Sequence, residues 1–155
     1  MQSFNVIGLM SGTSLDGLDI AFAHFTLNEQ KWTYTIHKSE SVNYQKTWVE
    51  KLTNAYTSSK KDIDELDISY GMYLAKSVNV FISKHAIQKE SIDFIASHGH
   101  TIFHKPEENY TLQIGDGKTM AQATGIPVIN DFRSRDVSLG GQGAPLVPIG
   151  DQLLF

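Results

Sequence analysis

The first third of the chain alternates apolar and polar positions at the period of extended strands. Residues 4–9 and 18–25 are rich in β-branched and aromatic side chains, and a stretch of Gly, Ser, Thr and Asp separates them. The pattern predicts a strand, a turn and a returning strand. Residues 31–39 then set Trp32, Tyr34 and Ile36 against Thr33, Thr35 and His37, the period of a half-buried third strand that completes a meander. Next the period changes. Trp48, Leu52 and Tyr56, with Val49 and Ala55 beside them, recur at helical spacing until Thr57-Ser58-Ser59 stops the pattern, which predicts a helix over about 45–56. Ile63, Leu66, Tyr70, Leu74, Val78, Phe81 and Ile82 line one face of a longer helix over about 62–86, with a break expected at Gly71 or near Asp67. That stripe reads as core, because an amphipathic helix needs it to dock on a sheet, and Lys60, Lys61, Asp62, Asp64 and Glu65 read as a solvated first turn.

Shorter elements follow. Residues 94–97 form an apolar run that predicts a fourth strand, leading into His98-Gly99-His100-Thr101. Residues 111–115 read as a strand and 119–124 as a short helix closed by Gly125, together a βα unit. Residues 126–129 read as a buried strand, with Pro127 near its start where a missing N–H does least damage. Leu146, Ile149 and Leu153 return to helical spacing at the end of the chain, without a Gly, Lys or Pro stop behind them. A meander followed by alternating strands and helices predicts an α/β domain with a mixed sheet flanked by helices. No internal repeat or linker interrupts it.

Composition narrows the partners. A chain of 155 residues buries roughly 68–70% of its unfolded surface, and 41% hydrophobic content fits one globular core. Thirteen Lys and Arg against seventeen Asp and Glu give a net charge of −4 with the cations scattered, so nucleic acid is not an expected partner. With no cysteine there is neither a disulfide nor a thiolate metal site. The N-terminus carries no basic n-region, and no apolar run reaches the ~18 residues of a membrane span, so a cytoplasmic protein without a membrane partner is expected.

Three segments hold candidate chemistry. In the first loop, Gly12 and Gly17 allow positive φ and close approach of a ligand to backbone N–H groups, which the Thr13 and Ser14 hydroxyls supplement; phosphate is the expected guest. An ordinary hairpin turn, its polar side chains bonding their own backbone, explains the same composition. No Lys follows Gly17 as a P-loop requires, and no G-x-G-x-x-G opens a helix after the first strand. In the second segment His98, His100 and His104 fall within seven residues, which fits either a Zn²⁺ or Mn²⁺ hydrolase or hydrogen-bonding substrate contacts. The third segment gathers Asp131, Arg133, Arg135 and Asp136 ahead of a glycine loop. Ligands bind beyond the carboxyl ends of strands in open α/β sheets, and the Arg fork suits a sugar carboxylate; an internal Asp–Arg network holding the loop is the alternative.

Taken as whole strings, these segments resemble the anhydro-N-acetylmuramic acid kinases of the actin-like (sugar kinase, Hsp70, actin) ATPase superfamily. The strings are Gly8-Leu9-Met10-Ser11-Gly12-Thr13-Ser14-Leu15-Asp16-Gly17-Leu18-Asp19; Ser97-His98-Gly99-His100-Thr101 with His104-x-Pro106, similar to S-H-G-Q-T and H-x-P; and Asp131-Phe132-Arg133-x-x-Asp136 followed by Gly140-Gly141-Gln142-Gly143-Ala144-Pro145-Leu146-Val147-Pro148. The resemblance covers the whole chain. It implies a ribonuclease-H-like first lobe over residues 1–155, with the C-terminal lobe outside this chain.

It further implies ATP-dependent conversion of 1,6-anhydro-N-acetylmuramic acid to N-acetylmuramic acid 6-phosphate in peptidoglycan recycling, with Mg²⁺ accompanying ATP, and a homodimer. Gly12, Thr13, Ser14, Leu15, Asp16, Gly17, Leu18 and Asp19 would wrap the phosphates. His98, Thr101, Asp131, Arg133, Asp136 and Gln142 would meet the sugar. None of the residues is a metal ligand, and the catalytic Asp belongs to a later G-F-D-x-G-P-x-N segment, so this chain alone is expected to be inactive. A nucleotide- or sugar-binding module without catalysis is the other reading. Two positions depart from the pattern: His100 stands where the family has Gln, and Met10 where many superfamily members have a metal-organising Asp.

Overall fold

The computed structural model describes residues 1–144 and 146–155. Strands β1 (Gln2–Ser11), β2 (Gly17–Asn28) and β3 (Lys31–Asn43) form the meander, and β4 (Phe94–Ser97) and β7 (Val128–Ile129) extend it into one five-stranded sheet of order β3-β2-β1-β4-β7. The first three strands are antiparallel, whereas β4 runs parallel to β1 and β7 parallel to β4. This is the mixed sheet of a ribonuclease-H-like lobe, and the pleat explains its core. Ile7, Leu9, Leu18, Ile20 and Ile95 alternate onto one face and are buried there beneath the helices.

Helix α1 (Lys46–Asn54) and helix α2 (Lys60–Lys84) cover that face. Ser59 caps α2 by accepting the Asp62 N–H at 3.2 Å, and Tyr70, Leu74, Val78 and Phe81 form its buried stripe. The expected break in this helix does not occur. Both residues that suggested it are contact points for the turn at 115–116. A Cβ on Gly71 would lie 2.7 Å from the Asp116 carbonyl oxygen, while Asp67 accepts the Gly115 N–H at 2.6 Å through its carboxylate and the Asp116 N–H at 3.2 Å through its carbonyl.

Residues 98–115 also depart from the sequence pattern. His100 begins a strand, β5 (His100–Lys105), which pairs antiparallel with β6 (Tyr110–Ile114) in a separate two-stranded sheet. β6 therefore belongs to a hairpin and only then leads into helix α3 (Gly117–Thr124), which Asp116 caps through the Thr119 N–H at 2.7 Å and Gly125 closes at φ 68°. Helix α4 (Ser134–Ser138) follows β7 and was not foreseen. Helix α5 (Leu146–Leu154) confirms the terminal apolar spacing and lies against β3, with the Tyr34 and Phe155 rings edge to face at 5.8 Å. Among the described residues no helix is long and apolar enough to cross a membrane.

Candidate phosphate loop and substrate groove

β1 and β2 remain paired up to Ser11 opposite Leu18, so residues 12–16 form a short closed loop. The Leu15 N–H bonds the Gly12 carbonyl at 3.3 Å, and Asp16 gathers the far side, accepting the Ser14 hydroxyl at 2.6 Å and the Gly17 N–H at 3.1 Å. The Ser14 hydroxyl chiefly holds the exposed Asp16 carboxyl below the usual carboxylate range.

The expected positive φ at the two glycines is corrected here. Leu15 takes it, at φ 59°, and packs its side chain against the core. Gly17 is needed for another reason: a Cβ there would sit 2.6 Å from the Val42 carbonyl oxygen of β3. Leu18 is likewise a core residue, whereas Thr13, Ser14, Asp16 and Asp19 face outward. Among the described residues the Thr13 and Ser14 N–H groups have no acceptor, as an anion-binding turn requires.

The second constellation starts where β4 ends. The His98 N–H bonds the Leu9 carbonyl at 3.2 Å, which sets this imidazole beside the end of β1. His98 Nδ1 lies 3.0 Å from the Gly99 carbonyl and must carry the proton, leaving Nε2 to accept from Arg133 Nε at 3.0 Å and Nη2 at 2.9 Å. Burial, and then the Arg133 cation, push the His98 pKa down and keep the ring neutral. Arg133 Nη1 donates to the Gly143 carbonyl at 3.0 Å, so three guanidinium nitrogens brace the chain itself.

Asp136 Oδ2 accepts the Gly143 N–H at 2.7 Å, and a Cβ on Gly141 would lie 2.2 Å from that carboxylate. Asp131, at φ 56°, accepts the Ser134 N–H at 3.3 Å just ahead of α4, whose N-cap is Arg133. Thus His98, Arg133 and Asp136 come together around Gly143. Thr101 instead accepts from Gln113 at 3.4 Å within the β5–β6 hairpin, Gln142 is exposed, and Pro145 of the glycine-loop string lies outside the described residues. A groove of about 650 Å³ holds Asp19 of the first string and His98 of the second, lined also by Met10, Ser41 and Phe132 over the small residues Gly8, Ala21 and Ala96.

The three clustered histidines do not converge. His98 meets Arg133, His100 meets Ser11, and His104 is exposed and meets Thr111 at 3.2 Å. Among the described residues no group of three His, Cys, Asp or Glu side chains could hold a metal ion. For a hydrated Mg²⁺ the requirement is smaller, one or two carboxylates together with ligand phosphates; Asp16 is exposed but accepts from Ser14 and Gly17, and Asp19 is exposed on the groove and accepts from the Ser41 hydroxyl.

A sequence model of the family described as anhydro-N-acetylmuramic acid kinase matches residues 4–155. The chain belongs to this family. An anhydro-N-acetylmuramic acid kinase of Shewanella baltica is 42% identical over 157 residues, covering 100% of this chain and 42% of that protein. Those of Mannheimia succiniciproducens and Colwellia psychrerythraea are 42% and 40% identical, with 96% of this chain against 40% and 38% of theirs. The chain therefore spans about two fifths of the length of these curated kinases.

Within this kinase family member, the residues that sequence reasoning missed are Ser11, Tyr44 and Tyr70. All three are buried, and they join His100 in one hydrogen-bonded chain under the first loop. Tyr44 also donates its backbone N–H to the Asp16 carbonyl at 3.3 Å, so it holds the loop at both ends. A sequence signal existed for one of them: Ser11 falls on the inward register of a strand whose neighbours Ile7 and Leu9 are apolar, which marks a polar side chain that needs a buried partner.

Proposed function

We propose that the chain forms the nucleotide-phosphate and sugar-contacting part of an ATP-dependent kinase acting on 1,6-anhydro-N-acetylmuramic acid, in the cytoplasm where ATP is available. The observation that carries this reading is the closed loop at 12–16, whose Thr13 and Ser14 N–H groups have no acceptor among the described residues, with Asp19 of the same string on the groove that also holds His98. In this reading Gly12, Thr13 and Ser14 receive the phosphates. Mg²⁺ would be held chiefly by the ATP phosphates, with the exposed Asp16 and Asp19 acting on it only indirectly, and it supplies charge neutralisation to the transferring group when bound. Arg133, braced on His98 and Gly143, directs its remaining N–H groups at the sugar carboxylate, with Asp131 and Gln142 at its side.

In the reaction, water adds at C1, the C1–O6 bond breaks, and O6 takes the γ-phosphoryl group of ATP, giving ADP. In this reading the proton released by water goes to a base outside these residues, in the later segment that the family resemblance implies. The 155 residues are then one lobe, and pairing of two copies through the rest of the protein fits the same reading. The test is ADP release dependent on both ATP and the anhydro-sugar. The full-length protein is expected to show it and the 155-residue chain not; turnover by the shorter chain at a similar rate would place the base at Asp131 or Asp136 and overturn the assignment.

A further inference from the structure

Ser11 is the last residue before the loop and is 2% exposed, and its hydroxyl has two partners, Tyr44 OH at 2.7 Å and His100 Nδ1 at 2.8 Å. Tyr44 donates to it, so the one Ser11 proton points at His100 Nδ1. Because Tyr44 has given its own proton away, the Tyr70 hydroxyl, 2.5 Å off, must donate to Tyr44. The result is a chain with a single direction, Tyr70 to Tyr44 to Ser11 to His100. It links α2, the corner after β3, the end of β1 and the start of β5. It terminates correctly only on an acceptor.

We propose that His100 is a positioning residue for the first loop, its neutral imidazole accepting through Nδ1 the last proton of this chain and so fixing Ser11 and the entry of the backbone into Gly12. Burial of the ring, with His98 nearby, favours the neutral form that this role needs. The Nε2–H tautomer follows, because Nδ1 is the acceptor. A Gln at this position offers an amide oxygen to the same hydroxyl, whereas Leu offers nothing, and a buried donor without an acceptor shifts until it finds one. The loop moves with it, because Ser11 and Gly12 are adjacent. The proposal rests on the reading of residues 12–19 as the phosphate loop.

Two measurements on the full-length protein test it. Imidazole ¹⁵N spectra of wild type should show His100 protonated at Nε2 and unprotonated at Nδ1; the opposite tautomer overturns the proposal without any variant. Calorimetric titration with MgATP should find His100→Leu about tenfold weaker than wild type, His100→Gln restored, and Tyr44→Phe weakened by a similar factor that does not add to that of His100→Leu. Wild-type affinity in a folded His100→Leu variant, or no rescue by His100→Gln, overturns the positioning role while leaving the loop assignment intact. Failure of wild type to bind MgATP removes that assignment, and the proposal with it.

Discussion

Gly17 and Gly12 sit at the two ends of one loop, and adding a methyl group to each separates folding from ligand approach. In Gly17→Ala the new Cβ would lie 2.6 Å from the Val42 carbonyl oxygen, 3.1 Å from its carbon and 3.3 Å from Asn43 Cα, all backbone of β3. Those atoms belong to the first two pairs of the β2–β3 ladder and cannot swing aside as a side chain can. Overpacking of this kind costs ~1–3 kcal/mol. Gly17 lies outside the left-handed region, so no φ strain adds to that, and the lost freedom of the unfolded chain returns ~0.4–1 kcal/mol. The net expectation is a loss of about 0–2.6 kcal/mol, centred at about 1.3 kcal/mol.

In Gly12→Ala the new Cβ lies 3.2 Å from Ser14 Oγ, the end of a side chain that can rotate, and at an ordinary 3.9 Å from the Ser14 nitrogen, so its stability should stay within ~0.5 kcal/mol of wild type. Its methyl group instead lies where phosphate would approach the backbone. Urea unfolding of both variants, paired with MgATP titration of the full-length protein, reads the two effects. Gly17→Ala should lose stability and Gly12→Ala should lose ATP affinity. A Gly12→Ala protein that is less stable than Gly17→Ala, or that binds ATP as wild type does, would refute the reasoning.

Arg133→Lys keeps the charge but cannot reach both His98 and Gly143, so anhydro-sugar affinity or turnover should fall by about tenfold or more, ~1.4 kcal/mol, with ATP binding near normal; equal loss for both ligands would mark Arg133 as an internal brace alone. Stability should also depend on pH through His98 and His100, whose pKa values burial pushes below the ordinary imidazole value. The unfolded chain takes up protons below about pH 6.5 that the folded chain refuses, so stability falls as pH drops from there to the folded values, by at most ~1.4 kcal/mol per pH unit per ring. The urea midpoint should be lower at pH 5.5 than at pH 7.5 and should change less in His100→Gln; a flat midpoint across that window contradicts the burial of both rings.

The sheet and its main helices were legible because each buries one face, and a buried face imposes its period on the sequence. Strand β4 was found to the residue for that reason, and the end of α3 at Gly125 because glycine takes the left-handed turn there, at φ 68°, without a Cβ penalty. The β5–β6 hairpin was not. Residues 100–105 carry His, Thr and Lys in a pairing that stands apart from the main sheet, so no long apolar alternation announces it. Gly71 and Asp67 misled for a related cause. Within one helix they look like breakers, and only the arrival of residues 115–116, more than forty positions later, shows that a missing Cβ and a free carboxylate are what the contact needs.

The candidate site was legible as a set of residue types and not as a division of labour, because a hydrogen-bonding side chain looks the same in sequence whether it faces a ligand or its own backbone. Donor and acceptor accounting divides them. Asp136 holds Gly143, which in turn is held by Arg133, and His98 receives that same guanidinium, so these three first build a rigid glycine loop. Asp19, by contrast, accepts only from Ser41 and stays exposed on the groove, and the Thr13 and Ser14 N–H groups have no acceptor among the described residues. Unengaged donors on a closed loop are what preorganised recognition of an anion requires, since donors already aimed lose little freedom on binding. The residue with the most conspicuous chemistry, the buried His100, then acts at one remove from any ligand, through the orientation of a single serine hydroxyl.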